Sequence, residues 1–124
     1  MSLLTEALKI RETLLDLRHY FHQNPEIGMD LPVTVKKVKE TLNALGIHYE
    51  EIIQGGGIKA YLGKSGGKTI LLRADMDALP IEEKTGLKYA SKNKGAMHAC
   101  GHDLHNTMLL GAAMLLKNHE RELN

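Results

Sequence analysis

A chain of 124 residues with 43% hydrophobic content can bury one core and is too short for two domains. Its 16 basic and 15 acidic residues are interspersed and leave a formal charge of +1, so nothing points to nucleic acid or another polyanion as partner. No apolar run nears the ~20 residues that cross a bilayer, and the opening stretch carries Glu6, Lys9, Arg11, Glu12, Asp16 and Arg18; neither a membrane span nor a signal peptide is expected.

Leu3, Leu4, Ala7, Leu8, Ile10, Leu14, Leu15, Leu17 and Phe21 recur at helical spacing, which predicts one long amphipathic helix ending at Asn24-Pro25. His19 and His22 share a face of it without a third ligand nearby, so surface or packing roles are expected for both. A second helix should follow Pro32, carry Val35, Val38, Leu42 and Leu45 on one face, and stop at Gly46. The period then changes to that of strands, over Ile47 to Ile53 and Ile58 to Leu62, joined at Gly55-Gly56-Gly57. Gly63 to Thr69 imitates a phosphate-binding loop, but its glycines are one residue too close and an apolar segment follows where a helix should begin. It reads as a turn. Thr69-Ile70-Leu71-Leu72 has the nearly all-apolar character of a strand covered on both faces. An irregular stretch from Pro80 to Ala96 leads to a buried helix over Met108 to Leu116. The succession of two helices, three strands, a loop and a helix predicts a layered α/β domain.

Two clusters carry chemistry. After Leu72, Asp75 and Asp77 occupy alternate positions at the carboxyl end of a strand, where α/β sheets place ligands, and alternate residues of an extended segment point the same way. They are either solvated turn acids or a pair facing one site. The second cluster is Met97-His98-Ala99-Cys100-Gly101-His102-Asp103-Leu104-His105, which holds the single cysteine, three histidines and an acid. Thiolate sulfur and imidazole nitrogen are the ligands of zinc-type ions. Gly101 permits a tight turn that brings Cys100 and His102 toward one ion, and the helix that follows adds positive potential favouring an anionic sulfur. The bland alternative is a buried thiol beside exposed histidines. His105 is a further ligand, a substrate contact or simply a polar residue of the first helical turn, and His98 reads as a loop residue. Metal binding would give the acids at 75 and 77 a role, since a ligating imidazole needs a partner on its second nitrogen. One cysteine cannot form an internal disulfide, so a reducing cytoplasm is the expected compartment.

Arg73-Ala74-Asp75-Met76-Asp77-Ala78-Leu79-Pro80, then Met97 to Asp103, then an Ala- and Leu-rich helix closely resemble the bacterial and plant N-acyl-amino-acid amidohydrolases. These belong to the co-catalytic metallopeptidase superfamily of aminoacylases and glutamate carboxypeptidases. Arg18-His19-Tyr20-Phe21-His22-Gln23-Asn24-Pro25-Glu26 is similar to the family's opening, so the resemblance covers nearly the whole chain. It implies a zinc-exopeptidase type of catalytic domain and two divalent ions, zinc or manganese, that assist hydrolysis of the amide of an N-acyl amino acid or small peptide. By match of motif Cys100 and His102 are metal ligands and Asp77 is the catalytic-site acid that orients a ligand. Asp75 stands where related branches have a ligand histidine; with His105 and Asp103 it is a further candidate for contact with metal or substrate.

Intact members run to roughly three times this length, with an inserted lid or dimerisation domain, which exceeds the usual single-domain size. Residues 1–124 are therefore expected to be the amino-terminal part of the catalytic domain. The family's paired glutamates and further ligand histidines find no match here. Glu82 and Glu83 fall in the loop after Pro80 and match no catalytic position. Two ligands cannot hold two ions tightly, so weak metal binding, little turnover and self-association through unpaired sheet are expected of this chain, and a homodimer of the intact enzyme. The rival readings are a cysteine hydrolase with Cys100 as nucleophile and His98 or His105 as base, and a non-catalytic metal-binding or self-associating module.

Overall fold

In the computed structural model, which describes residues 1–123, the first amphipathic stretch is two helices: α1 over Leu3–Lys9 and α2 over Arg11–Gln23. The break is at Ile10, whose N–H reaches back only to Ala7, and the change of direction carries α1 to the far end of the last helix. There Glu6 meets His119 Nε2 at 3.0 Å, while Glu122 lies 3.1 Å from His119 Nδ1. These hydrogen bonds, from Glu122 first and then Glu6, raise the His119 pKa above the ordinary histidine value. A raised folded-state pKa contributes stability that is complete below about pH 6.5 and disappears as pH rises through the higher folded value. Urea midpoints are accordingly expected to fall as pH rises above the ordinary histidine value, and His119→Ala should flatten that fall; an unchanged profile would discount the contact.

α2 ends where the sequence predicts, since Asn24 precedes Pro25 and turns its Nδ2 onto the Tyr20 carbonyl at 2.8 Å. α3 spans Pro32–Ala44. Its first amides are capped from a distance: the Glu26 carboxylate accepts from Val33 N at 3.0 Å and Thr34 N at 2.7 Å, placing an anion at the positive helix end. Gly46, at φ +66°, closes the helix while Ile47 N bonds Leu42 O. The hairpin follows, β1 over His48–Ile53 and β2 over Gly57–Tyr61, antiparallel, with a register irregularity between Glu51 and Ile53. Gly56 is obligatory at its turn, because a Cβ there would lie 2.0 Å from the Met29 carbonyl oxygen. Gly56→Ala must displace backbone, and a loss of thermal stability of several degrees is expected; a melting curve matching the parent would refute this.

The third strand does not form. Thr69–Leu72 is extended but has no ladder partner among the described residues, and Ile70 and Leu71 are 84% and 82% exposed. The segment is apolar, but burial needs neighbours: β1 and β2 pair with each other and supply none. The expected mixture of helix and sheet holds, with a two-stranded sheet.

α4 runs over His102–Asn118, starting six residues before its apolar part, so His102, Asp103 and His105 all lie in its opening turns. It crosses α2 closely; a Cβ on Gly111 would sit 3.0 Å from Leu14 Cδ2. Leu17 and Phe21 from α2, Val38 and Leu42 from α3, Ile47 and Leu110 form the core. Against it pack Tyr49, Ile58 and Met76, the last lying between the two acids of the site.

Candidate metal centre

Backbone pairing builds the site from three chain segments. Ala78 N bonds Glu26 O at 2.7 Å, and Leu79 exchanges both of its backbone bonds with Met97, at 2.9 and 3.0 Å. The segment carrying Asp77 is thus sewn between the end of α2 and the strand-like residues that lead to Cys100. Lys92 N to Gln23 O and Asn93 Nδ2 to Pro25 O fix the intervening loop to the same corner.

Gly101, at φ +83°, then turns the chain into α4 and brings His102 back over Asp77. His102 Nδ1 lies 2.8 Å from the Asp77 carbonyl oxygen and 3.0 Å from Asp77 Oδ1. Both partners accept, so Nδ1 carries a hydrogen, and in the neutral ring Nε2 is the nitrogen with the lone pair. Nε2 points toward Asp75 Oδ2, 3.8 Å away, and the Asp75 carboxylate also takes a bond from Arg73. An imidazole held by a carboxylate and a carbonyl on one nitrogen and open on the other is how histidine is set up to ligate a metal. Cys100, two residues before, is exposed. The His105 ring stands 5.8 Å from that of His102, and a cleft lined by Leu72, Arg73, Asp75, His105 and Met108 adjoins them.

The donors fit a zinc-type ion in chemistry but not in number. Among the described residues no group of three or more His, Cys, Asp and Glu side chains is gathered closely enough to hold one. No hydrogen bond joins Cys100 to His98 or His105 among those residues, so the geometry offers no activated thiol for a cysteine hydrolase.

Asp103 faces the other way. It is 1% exposed, and its Oδ2 accepts from Arg18 Nε at 3.0 Å and His22 Nδ1 at 2.8 Å. His22, predicted to have a surface or packing role, is buried at 3% exposure, with Glu83 Oε1 3.0 Å from its Nε2 but out of line for a hydrogen bond. Arg18 also donates to the Tyr89 hydroxyl at 2.9 Å and lies over that ring. Although burial pushes the Glu83 carboxyl up, bonds from Thr85 and the Ser91 N–H, together with the His22 ring close by, bring it below the usual range. Nothing in residue spacing announced this cluster, whose members are far apart in sequence. His98 lies outside helix and strand, as its reading as a loop residue expects, and is buried; both ring nitrogens lack partners among the described residues, and burial depresses its pKa against the pull of Asp103.

Comparison with known proteins shows what this fold and donor pattern resemble. Residues 71–124 match the model of peptidase family M20/M25/M40. An IAA-amino acid hydrolase ILR1-like 5 of Arabidopsis thaliana is 46% identical over 121 residues, covering 94% of this chain and 28% of that relative. An N-acetyl-L-cysteine deacetylase of Bacillus subtilis is 48% identical over 115 residues, covering 92% and 28%. Among solved structures, a dinuclear metal-binding peptidase of Bacillus subtilis superposes with a TM-score of 0.86 at 39% identity, over 92% of this chain and 33% of that one. Residues 71–124 carry the match to peptidase family M20/M25/M40, and the chain spans under a third of the length of these curated relatives.

Proposed function

We propose that this chain supplies part of a two-metal centre that hydrolyses the amide of N-acyl amino acids or small peptides, with zinc or manganese as the ions. The observation that carries the reading is His102, fixed through Nδ1 by Asp77 and open at Nε2 beside Asp75. Cys100 and His102 would hold the ions, which when bound supply Lewis acidity toward an amide carbonyl. Asp77 keeps the His102 ring in one tautomer and one orientation. Asp75, restrained by Arg73, is placed to approach an ion or a substrate, and His105 borders the adjoining cleft, where it can contact substrate. We read Asp103 as an anchor, since its carboxylate is turned into the protein. The exposed thiol suits a reducing cytoplasm.

With two firm donors, the chain as it stands is expected to bind ions weakly and turn over little. Zinc-dependent release of amino acid from N-acetylated substrates, measured beside the Bacillus subtilis deacetylase, should be slower by orders of magnitude; equal rates would overturn the account of the donor set. Failure to take up zinc at all, in competition with a colorimetric chelator, would remove the metal reading itself. Self-association is the second reading, favoured by the exposure of Ile70 and Leu71, and a sedimentation profile that changes with concentration would support it.

A further inference from the structure

We propose that Arg18 and His22 are positioning residues for the metal centre: acting through Asp103, they set the rotation of the first turn of α4 and so aim His102 at Asp77, with Glu83 steadying His22 from behind. The inference rests on the reading of His102 as a ligand.

Local sequence leaves that turn free to rotate. Its N-cap is Gly101, which has no side chain to accept from the first amides, and no side-chain cap is made. Gly101 also sits at φ +83°, where its own flexibility gives the turn no preferred direction. What holds the turn is tertiary. Successive residues of a helix point ~100° apart, so a carboxylate at 103 drawn into the protein fixes where the imidazole at 102 must go. Asp103 is drawn in by two donors on one face of α2, Arg18 Nε at 3.0 Å and His22 Nδ1 at 2.8 Å. Each donor is itself immobilised. Tyr89 takes a second bond from Arg18 and stacks under it, and Glu83, with its side chain 2% exposed, stands 3.0 Å from the other His22 nitrogen. Burying two carboxylates, an imidazole and part of a guanidinium is a poor way to gain stability, since apolar groups of that size do as well; such clusters serve best where one arrangement must be selected over its neighbours.

The test uses the full chain, metal-free, with 15N-labelled histidine, and then titrates it with Co(II). Variants Arg18→Lys, His22→Gln and Asp103→Asn keep size and much of the polarity, so folded protein is recoverable from at least one; Gly46→Ala strains the left-handed exit of α3, away from the centre, and serves as a control for general destabilisation. Positioning predicts that the His102 ring loses its single-tautomer nitrogen signature in each folded network variant, and that Co(II) affinity falls by about tenfold or more, as when the partner of a ligand is lost. Gly46→Ala should leave both unchanged. A His102 signature that stays at its parent value in folded network variants, or that shifts as much in Gly46→Ala, overturns the proposal. A parent chain that takes up no Co(II) sinks the metal reading, while the nitrogen spectra still decide whether α2 aims His102.

Discussion

Replacing His102 by alanine is expected to abolish measurable binding of zinc or cobalt, because it removes a nitrogen that the structure both orients and leaves open beside Asp75. Asp77→Asn should be milder and informative for that reason. The amide can still accept from Nδ1 but lacks the charge that strengthens the imidazole as a donor to metal, so a loss of roughly 10–100-fold is expected. Cys100→Ser should fall nearer the alanine result, since an alcohol does not replace a thiolate for a zinc-type ion. Dialysis against a competing chelator gives all three affinities on one scale. The reading fails if His102→Ala retains parent affinity, or if Asp77→Asn costs more than removal of the ring itself.

The second large effect concerns stability. Asp103→Ala strands Arg18 and His22 without their shared acceptor in a buried setting, and breaking such a pair costs about 3–5 kcal/mol. Against a total stability of ~5–15 kcal/mol for a domain, this variant should be extensively unfolded at temperatures the parent tolerates. Urea denaturation followed by circular dichroism measures it, and a midpoint within error of the parent would show the cluster to be energetically idle. The neighbouring Glu83 adds a pH signature. Its folded-state pKa lies below the ordinary carboxyl value, so the stability it contributes is complete above the unfolded pKa and is lost as pH falls through the folded one. Glu83→Gln should therefore blunt the chain's sensitivity to acid.

What was legible in the sequence is what local chemistry dictates. Pro32 and Gly46 mark α3 because one fits a first helical turn and the other a left-handed exit; the glycines at 55 to 57 mark the hairpin, and at Gly56 nothing larger clears Met29. Cys100, Gly101 and His102 stand out by density as a candidate ligand motif, and Asp75 and Asp77 as a pair of acids facing one site from their place after an apolar run; the separate role of Asp77 comes with the family resemblance. Other features depended on partners the local sequence does not name. Thr69 to Leu72 has a strand's composition, but a strand exists only beside another. The break at Ile10 follows from where α1 docks, not from any breaker residue. His22 looked like half of an idle pair because its two carboxylates arrive from the loop after Pro80 and from α4.

The stitching of Ala78 to Glu26, of Leu79 to Met97 and of Lys92 to Gln23 ties the ligand-bearing loop to the end of α2. Hydrogen exchange at these amides should then track cooperative unfolding of α2 rather than local fraying. The backbone leading to His102 is thereby held before an ion arrives. Its conformational entropy is surrendered when the polypeptide folds, not when a cation arrives, so that cost is not added to the weak binding expected of so few donors.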